Sequence, residues 1–309
     1  MNATAPQDPL DPRDRPARLT VGVVGAGRVG PALAASLQLA GHRPVAASGV
    51  SDQSVRRAAA MLPDVPLVPP ADVLARAELV LLTVPDDALP GLVEGLVETG
   101  AVRPGQLLVH TSGRYGTKVL EPALRAGALP LALHPAMTFT GEIADLGRLV
   151  GIGYGVTAPA ALRQFATRLV ADLGGFPEWL AEPARPLYHA ALAHGANHLV
   201  TLVNEAADLL LAAGVRGGEQ LLGPLLRAAL DNTLRRGDAA LTGPVARGDA
   251  GTVDGHLRAL AQAAPEAVAA YQALARRTAD RAIATGRLSA ADAEALLEAL
   301  AADRSWEPA

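Results

Sequence analysis

A glycine-rich turn at residues 25–30 constrains the fold of this chain more than any other feature. The run LTVGVV before it is apolar and β-branched, as in a buried strand, and PALAASLQLAG after it has helical apolar spacing. In such a strand–turn–helix unit, Gly25 permits the tight turn, Gly27 lets a pyrophosphate approach the backbone, and Gly30 lets the helix pack on the strand. The sequence predicts a dinucleotide site at this helix N-terminus. The alternative is a glycine-rich turn without a ligand.

The second predicted strand, RPVAAS, bears on which dinucleotide would bind. It ends at Ser48 without the acidic residue that NAD-binding proteins place against the ribose hydroxyls. Arg56 and Arg57 follow in the next predicted helix, and arginine suits a phosphate. The pattern therefore favours NADP over NAD. The alternative is that both arginines are solvated helix residues.

Further short apolar runs predict a parallel sheet. They lie at residues 78–85, 105–113 and 129–135, are separated by helical stretches, and each ends in a polar cluster. The segments GIGYGVTA and GGFPEWLA are expected to form the closing strands of the sheet. Ligands of open α/β sheets bind at the carboxyl edge of the strands. The residues predicted to bind the cofactor are Gly25, Ala26, Gly27, Arg28, Val29, Gly30, Ser48, Val84, Pro85, Asp86 and His110.

Composition and proline positions predict the domain organisation. Residues 1–18 are rich in Pro, Asp and Arg and are expected to form a disordered leader, without the apolar core of a signal peptide. Pro183 and Pro186 mark a boundary. The predicted fold is α/β: an N-terminal doubly wound parallel sheet over residues 19–182, followed by an all-α second domain over residues 183–305.

The segment HGANHLVTLVNEA places polar side chains in an apolar helix. His194, Asn197, Thr201, Asn204 and Asp208 recur every three or four residues and form one stripe, with His198 beside it. We expect the helix to be buried on most sides and the stripe to face a cleft between the domains. The alternative is a stripe facing solvent or another helix. His194 and His198 also have metal-ligand spacing, but no third ligand is evident and no metal is predicted.

Charge and composition exclude several classes of function. The 27 basic and 31 acidic residues give a net charge of −4 without long runs, which argues against a nucleic-acid partner. No apolar run is long enough for a membrane span. The chain has no cysteine, which excludes thiol chemistry and is compatible with a reducing cytoplasm. A cytoplasmic protein is the expectation.

Five motifs together resemble a known family. GAGRVG, VPDDAL, HTSG, LHPAMTF and especially LTGPVARGDAGTVDGHL at 241–257 are similar to proteins with a Rossmann-like domain followed by a DUF2520 domain, from about residue 19 to about 280. The resemblance implies an NAD(P)-dependent enzyme related to pyrroline-5-carboxylate reductase, ketopantoate reductase and 3-hydroxyacid dehydrogenases, with a helical second domain that usually dimerises. The last two groups carry a catalytic lysine on the first long helix of that domain, whereas Lys118 is the only lysine here.

The candidate catalytic residues follow from the needs of a hydride transfer to a carbonyl, which creates an alkoxide that a donor must stabilise. Asn197 can donate a hydrogen bond, and His134, His194 or His198 can also donate a proton near neutral pH. Ser112, with the amides near Gly113, is expected to bind a substrate carboxylate, as the resemblance implies.

The role of Arg247 stays open between an ion pair with Asp249 and a contact to the substrate carboxylate from this or a partner subunit.

Three functional hypotheses remain. The first is an NADP-dependent reductase of a small 2-oxo acid, with ketopantoate as the best single candidate. The second is an imine reductase of the pyrroline-5-carboxylate reductase type, which needs no proton donor to oxygen. The third is an NADP-binding sensor without chemistry, which the missing lysine favours.

Overall fold

The computed structural model describes residues 18–301, which divide into two compact units between Ala196 and Asn197. Unit 1 precedes this point and unit 2 follows it. Unit 1 therefore continues beyond residue 182, where we expected the sheet domain to end. The predicted leader lies outside the described residues except for Arg18.

The described residues of unit 1 form seven strands and eight α-helices. The strands are β1 (Thr20–Val24), β2 (Arg43–Ser48), β3 (Leu79–Leu82), β4 (Leu107–His110), β5 (Leu129–Pro135), β6 (Gly153–Thr157) and β7 (Phe176–Trp179). The helices are α1 (Gly30–Leu39), α2 (Asp52–Met61), α3 (Pro70–Arg76), α4 (Leu89–Glu98), α5 (Glu121–Arg125), α6 (Ala144–Arg148), α7 (Arg163–Asp172) and α8 (Arg185–Leu192).

The seven strands form one sheet in the order β2-β1-β3-β4-β5-β6-β7. The first five strands are parallel, as predicted. The parallel pattern does not extend to the last two strands, because β6 pairs antiparallel with β5, and β7 runs parallel to β6. The connection from β5 to β6 contains only the five-residue helix α6, whereas parallel neighbours need a full crossover, usually a helix.

The core of unit 1 lies on both faces of the sheet. Successive strand residues point to opposite faces, so Leu79 and Leu81 join one apolar cluster while Val80 and Leu82 join the other. Burial on both faces explains the continuous apolar runs of the sequence. Chain order reverses direction between β1 and β3, and in open α/β sheets ligands bind at the carboxyl edge beside such a point.

Unit 2 consists of helices. They are α9 (His198–Ala212), α10 (Gly218–Arg236), α11 (Ala250–Ala263), α12 (Pro265–Ala284) and α13 (Ala290–Ala301). Helices α11, α12 and α13 share a core that includes Val253, Leu257 and Leu296. The helical pattern that continues through residues 253–284 is interrupted at Ala264, because the residue before a proline disfavours the helical conformation.

Helix α9 differs from the expectation that most of its sides are buried. None of its residues is buried, and Val200 is 57% exposed. Periodicity identifies an apolar face but not the surface that covers it, and nothing within the described chain buries this one. No helix of the described part is both long enough and apolar enough to cross a bilayer.

Candidate functional site

The turn after β1 has the geometry that its three glycines predict. Gly25 has a φ of +98°, and a Cβ there would lie 2.8 Å from the Thr83 carbonyl oxygen. A Cβ on Gly30 would lie 2.6 Å from Val23 Cγ1, so glycine is needed for α1 to pack on β1. A Cβ on Gly27 would meet nothing within 4 Å, so the backbone there faces open space. The turn is therefore tight on the protein side and accessible on the other.

Backbone hydrogen bonds connect this turn to β2. The Ser48 carbonyl accepts from the amides of Gly25, at 3.1 Å, and Ala26, at 2.7 Å. These two amides are thus engaged within the protein. Val29 at the N-cap of α1 makes no side-chain capping bond, and Pro31 in the first turn has no N–H. The N-terminus of α1, which is the positive end of its helix dipole, is therefore not capped by a side chain of its own N-cap residue.

Thr83 fixes the turn from the neighbouring strand, and sequence reasoning missed it. Its hydroxyl donates to the Gly25 carbonyl at 2.6 Å, and the same oxygen would contact a Cβ on Gly30. A hydroxyl residue directly after an apolar strand was the available signal. Val84 follows against the same turn, with Cγ1 3.0 Å from the Cβ position of Gly25. Pro85 and Asp86 start the turn that leads into α4, each accepting a backbone hydrogen bond.

Two arginines converge beside the glycine turn. A Cβ on Gly141 would lie 2.5 Å from Arg57 Nε and 3.2 Å from Arg28 Cγ, so both side chains pass this one glycine. Asp145, which is fully buried, holds the loop by accepting from the amides of Thr140 and Gly141. Within residues 18–301, no carboxylate forms a salt bridge with Arg28 or Arg57. Arg56, the other arginine of the prediction, is exposed.

His110 shapes the loop after β4. It is fully buried; its Nδ1 accepts from the Ser112 amide at 3.2 Å, and its Nε2 donates to the Gly116 carbonyl at 2.8 Å. Burial lowers the pKa of His110 to about 3, so the ring is neutral at physiological pH. Both ring nitrogens are used within the protein. The geometry therefore gives His110 a loop-positioning contact rather than a free nitrogen for the predicted cofactor contact.

Arg185 connects the loop after β4 to the neighbouring strands through hydrogen bonds. Sequence reasoning missed this residue. Its side chain is fully buried and donates to Thr157 Oγ1 at 2.8 Å and to the carbonyls of Ser112, Ala132 and Gly155 at 3.0, 3.1 and 2.9 Å. Burial lowers its pKa to about 10, so the guanidinium remains charged at neutral pH. One cation thus joins the loop after β4 to β5 and β6.

Two histidines and a tyrosine meet above Gly113. His134 Nδ1 shares a hydrogen bond of 2.9 Å with the Tyr188 hydroxyl, and the His134 and His189 rings pack edge to face at 5.8 Å. A Cβ on Gly113 would lie 2.6 Å from the His189 ring and 3.1 Å from His134 Nε2. Sequence reasoning identified His134 and Ser112 but missed Tyr188 and His189, which lie just beyond the predicted domain boundary.

The protonation states in this cluster limit its chemistry. Burial, with smaller contributions from His189 and Arg185, lowers the pKa of His134 to about 4. His134 is therefore neutral near pH 7, contrary to the expectation that it donates a proton there. Burial also raises the pKa of Tyr188, so its hydroxyl keeps its proton. The Ser112 hydroxyl accepts from the Tyr115 amide at 3.2 Å, within the same loop.

A cavity of about 760 Å³ opens beside this cluster within unit 1. Its lining includes His189 and two cations, Arg114 and Lys118. Arg114 stacks on the Tyr115 ring at 4.6 Å and makes an exposed pair with Asp87 at 3.4 Å. Glu182 lines the cavity as well, but its carboxylate accepts from the amides of Thr117 and Lys118. The cavity therefore offers positive charge to a small anion.

The remaining predicted catalytic residues are close in sequence to the point where unit 1 ends and unit 2 begins. A π-helical turn, Ala193–Asn197, contains His194 and leads directly into α9, which His198 begins. Such turns are rare and occur frequently at functional sites. His194, Asn197 and His198 are all exposed. Within residues 18–301, no three His, Asp or Glu side chains are grouped as a metal site.

The loop before α11 tests one of the two alternatives for Arg247, the ion pair with Asp249. Asp249 is the N-cap of α11 and accepts from the Thr252 amide at 3.1 Å and hydroxyl at 2.7 Å. In the described part of the chain, Arg247 makes no salt bridge to it within 4 Å, although its charge contributes to lowering the pKa of Asp249 after the Thr252 hydrogen bonds. Of the two alternatives, the Arg247–Asp249 ion pair is not formed, and Asp249 instead caps α11.

Comparisons with known proteins agree with this architecture. A glycerol-3-phosphate dehydrogenase [NAD(P)+] of Bradyrhizobium sp. (strain ORS 278) is 31% identical over 220 residues, which cover 65% of this chain and 61% of that relative. The chain thus spans about three fifths of the length of its curated relative.

Two solved structures share the fold. A candidate NADP oxidoreductase of Bacteroides fragilis has a TM-score of 0.71 at 24% identity, covering 85% of this chain and 98% of that one. An imine reductase of Pseudomonas sp. has a TM-score of 0.59 at 18% identity, covering 88% and 99%.

Two family models match successive parts of the sequence. The Rossmann-like domain matches residues 4–135, and the domain of unknown function DUF2520 matches residues 152–278. The chain therefore belongs to the proteins that combine a Rossmann-like domain with a DUF2520 domain.

Proposed function

We propose that the protein is an NAD(P)-dependent oxidoreductase that reduces a small carboxylate-bearing imine. The observation that carries the proposal is the glycine turn, in which Gly27 faces open space while Gly25 and Gly30 are packed against Thr83 and Val23. The turn, the uncapped N-terminus of α1 and Val84 would hold the dinucleotide. A bound reduced nicotinamide supplies the hydride. The names of the related dehydrogenase and imine reductase support this class of reaction.

The preferred cofactor of this proposal is NADP. Arg28 and Arg57 converge at Gly141 beside the glycine turn, and no carboxylate of residues 18–301 forms a salt bridge with either one. Two neighbouring cations repel each other, and a 2′-phosphate between them would relieve the repulsion. Exchange of Arg57 for Ala should weaken NADPH binding and leave NADH binding unchanged, as isothermal titration would measure. Equal losses for both cofactors would contradict the NADP preference.

An imine fits the protonation states better than a ketone does. A protonated imine accepts hydride at carbon, its C=N electron pair moves to nitrogen, and a neutral amine results without any proton donor. His134 is neutral because burial lowers its pKa to about 4, and the chain has no lysine after Lys118. The cations Arg114 and Lys118 in the cavity would attract the substrate carboxylate.

A 2-oxo acid, ketopantoate included, is the second candidate, and Tyr188 is the observation that favours it. Its hydroxyl keeps a proton because burial raises its pKa, and it lies 2.9 Å from His134. It could therefore stabilise an alkoxide. Ser112, with the amides near Gly113, remains the proposed carboxylate site for either substrate.

We keep Asn197, His194 and His198 as proposed contributors, together with a homodimer in which a second copy covers the apolar face of α9. The exposed positions of that helix, such as Val200, support the dimer. An Asn197→Ala variant that keeps full turnover would remove Asn197 from the scheme.

The experiment mixes the protein and NADPH with cyclic imino acids and, in parallel, with 2-oxo acids. The decrease in the near-ultraviolet absorbance of NADPH measures turnover. Turnover of the imines alone supports the first candidate, and loss of the oxo-acid reaction in Tyr188→Phe supports the second. NADPH binding without any turnover would contradict both and leave the non-catalytic sensor.

A further inference from the structure

Unit 2 contains a cavity whose lining residues all belong to unit 2. Its volume is about 450 Å³, within the range of about 300–1,000 Å³ typical of small-molecule sites, and residues of α9, α11, α12 and the segment 242–245 line it. Its walls are mainly apolar, with Leu202, Leu209, Leu260 and Leu274 among them. A hydrocarbon group would be dehydrated there.

Glu205 on α9 is the one acidic side chain of this lining. It is half-buried, and none of the described residues 18–301 donates a hydrogen bond to its carboxylate or forms an ion pair with it. The other ionisable lining groups, His256 and Tyr271, bond to each other at 2.8 Å between Nδ1 and the hydroxyl. The cavity therefore combines an unpaired negative charge with apolar walls.

This combination selects for a positive charge. A carboxylate that loses part of its hydration among apolar groups gains from a cation that brings hydrogen-bond donors. An aromatic ring such as that of Tyr271 also attracts cations at its face. A neutral ligand would leave the carboxylate unpaired, and an anion would be repelled.

We propose that this cavity binds a small organic ammonium ion, a protonated primary or secondary amine with a hydrocarbon body, and that Glu205 pairs with its nitrogen. The lining belongs entirely to unit 2, so the proposal does not depend on the reductase activity. A second copy of the chain lying over the cavity is the competing occupant, and the experiment separates the two.

The test measures binding of phenethylamine and of its neutral analogue 2-phenylethanol to the full-length protein by isothermal titration at neutral pH. We expect the amine to bind at least about tenfold more tightly, since a charged hydrogen bond contributes that much. Glu205→Gln should remove this difference. Glu294→Gln on α13, an exposed carboxylate outside the lining, should preserve it.

A variant that fills the cavity and a measurement of the protein's solution mass complete the test. Ala206→Phe should abolish binding of both probes by occupying the cavity, while circular dichroism checks that the helices are retained. Equal affinities for amine and alcohol, or an unchanged amine affinity in Glu205→Gln, would overturn the proposal. A further result would also overturn the proposal: neither probe binds, and light scattering gives Glu205→Gln a smaller solution mass than the wild type. That result would assign the cavity to contact with a second copy of the chain.

Discussion

The carboxyl edge of the sheet in unit 1 and helix α9 in unit 2 both carry candidate catalytic residues, but in opposite structural settings. At the sheet edge, Arg185, His110 and Thr83 are all hydrogen-bonded to backbone groups. On α9 no residue is buried, and exposed apolar side chains follow His198, its first residue, and Asn197, its N-cap. The first region is therefore preorganised by the chain itself, whereas the proposed role of the second depends on a surface that covers α9.

The largest effect is expected for Arg185→Leu. The substitution removes the donor to three buried carbonyls, and each unsatisfied group costs about 1–3 kcal/mol, so unfolding free energy should fall by about 4 kcal/mol or more. Urea unfolding monitored by circular dichroism measures this. Arg125→Leu, which loses only an exposed pair with Glu121, is the control and should change stability by less than about 0.5 kcal/mol. A loss as small as the control's would contradict the preorganised edge.

The second-largest effect is expected from acid, which should lower the stability of the folded protein through the same region. His110 and His134 have pKa values of about 3 and about 4 in the folded protein, below the ordinary value of 6.5. Between pH 6.5 and these lower folded-state pKa values, the unfolded chain binds protons that the folded chain does not. The stability present above pH 6.5 is therefore lost as pH falls. At pH 5 the loss is about 2 kcal/mol for each histidine.

Urea midpoints at pH 7 and pH 5 test the acid effect. His110→Gln should reduce the pH dependence, whatever its effect on absolute stability. A midpoint that stays constant between these pH values would contradict the neutral, buried state of both rings.

A smaller effect is expected for Thr83→Val. The change removes the hydroxyl that donates to the Gly25 carbonyl at 2.6 Å, and stability should fall by about 1 kcal/mol. NADPH affinity should fall as well, because the turn loses its anchor to β3. Thr99→Val, at the end of α4, removes a hydroxyl bond to the Gly95 carbonyl within that helix and should leave NADPH affinity unchanged. Equal NADPH affinities in both variants would show that Thr83 does not position the turn.

The smallest effect on the single chain is expected for Val200→Glu on α9. This residue is 57% exposed, so the substitution should change the stability of an isolated chain by less than about 0.5 kcal/mol. If a second copy covers the face, as proposed, the same substitution should halve the solution mass measured by light scattering. An unchanged dimer would require another interface, and a monomeric wild type would contradict the dimer.

The sequence predicted the features that depend on local spacing. The tight turn at Gly25, the open side at Gly27 and the close packing at Gly30 followed from their position between a strand and a helix, and the polar clusters at strand ends located the carboxyl edge. Arg185 could not be found in this way, because its partners are carbonyls on strands and loops 30 to 73 positions away in sequence. The exposure of α9 was missed because periodicity defines a face and leaves its partner unspecified.

The most direct test of the account is a fluorescence titration of the wild type and of Gly27→Val with NADPH. The added side chain meets no protein atom within 4 Å at Cβ and should leave the melting temperature unchanged, while it fills the space that the pyrophosphate needs. The account predicts saturable NADPH binding by the wild type and a loss of binding in Gly27→Val. Equal binding by two equally stable proteins, or no binding by the wild type, would contradict a dinucleotide site at this turn.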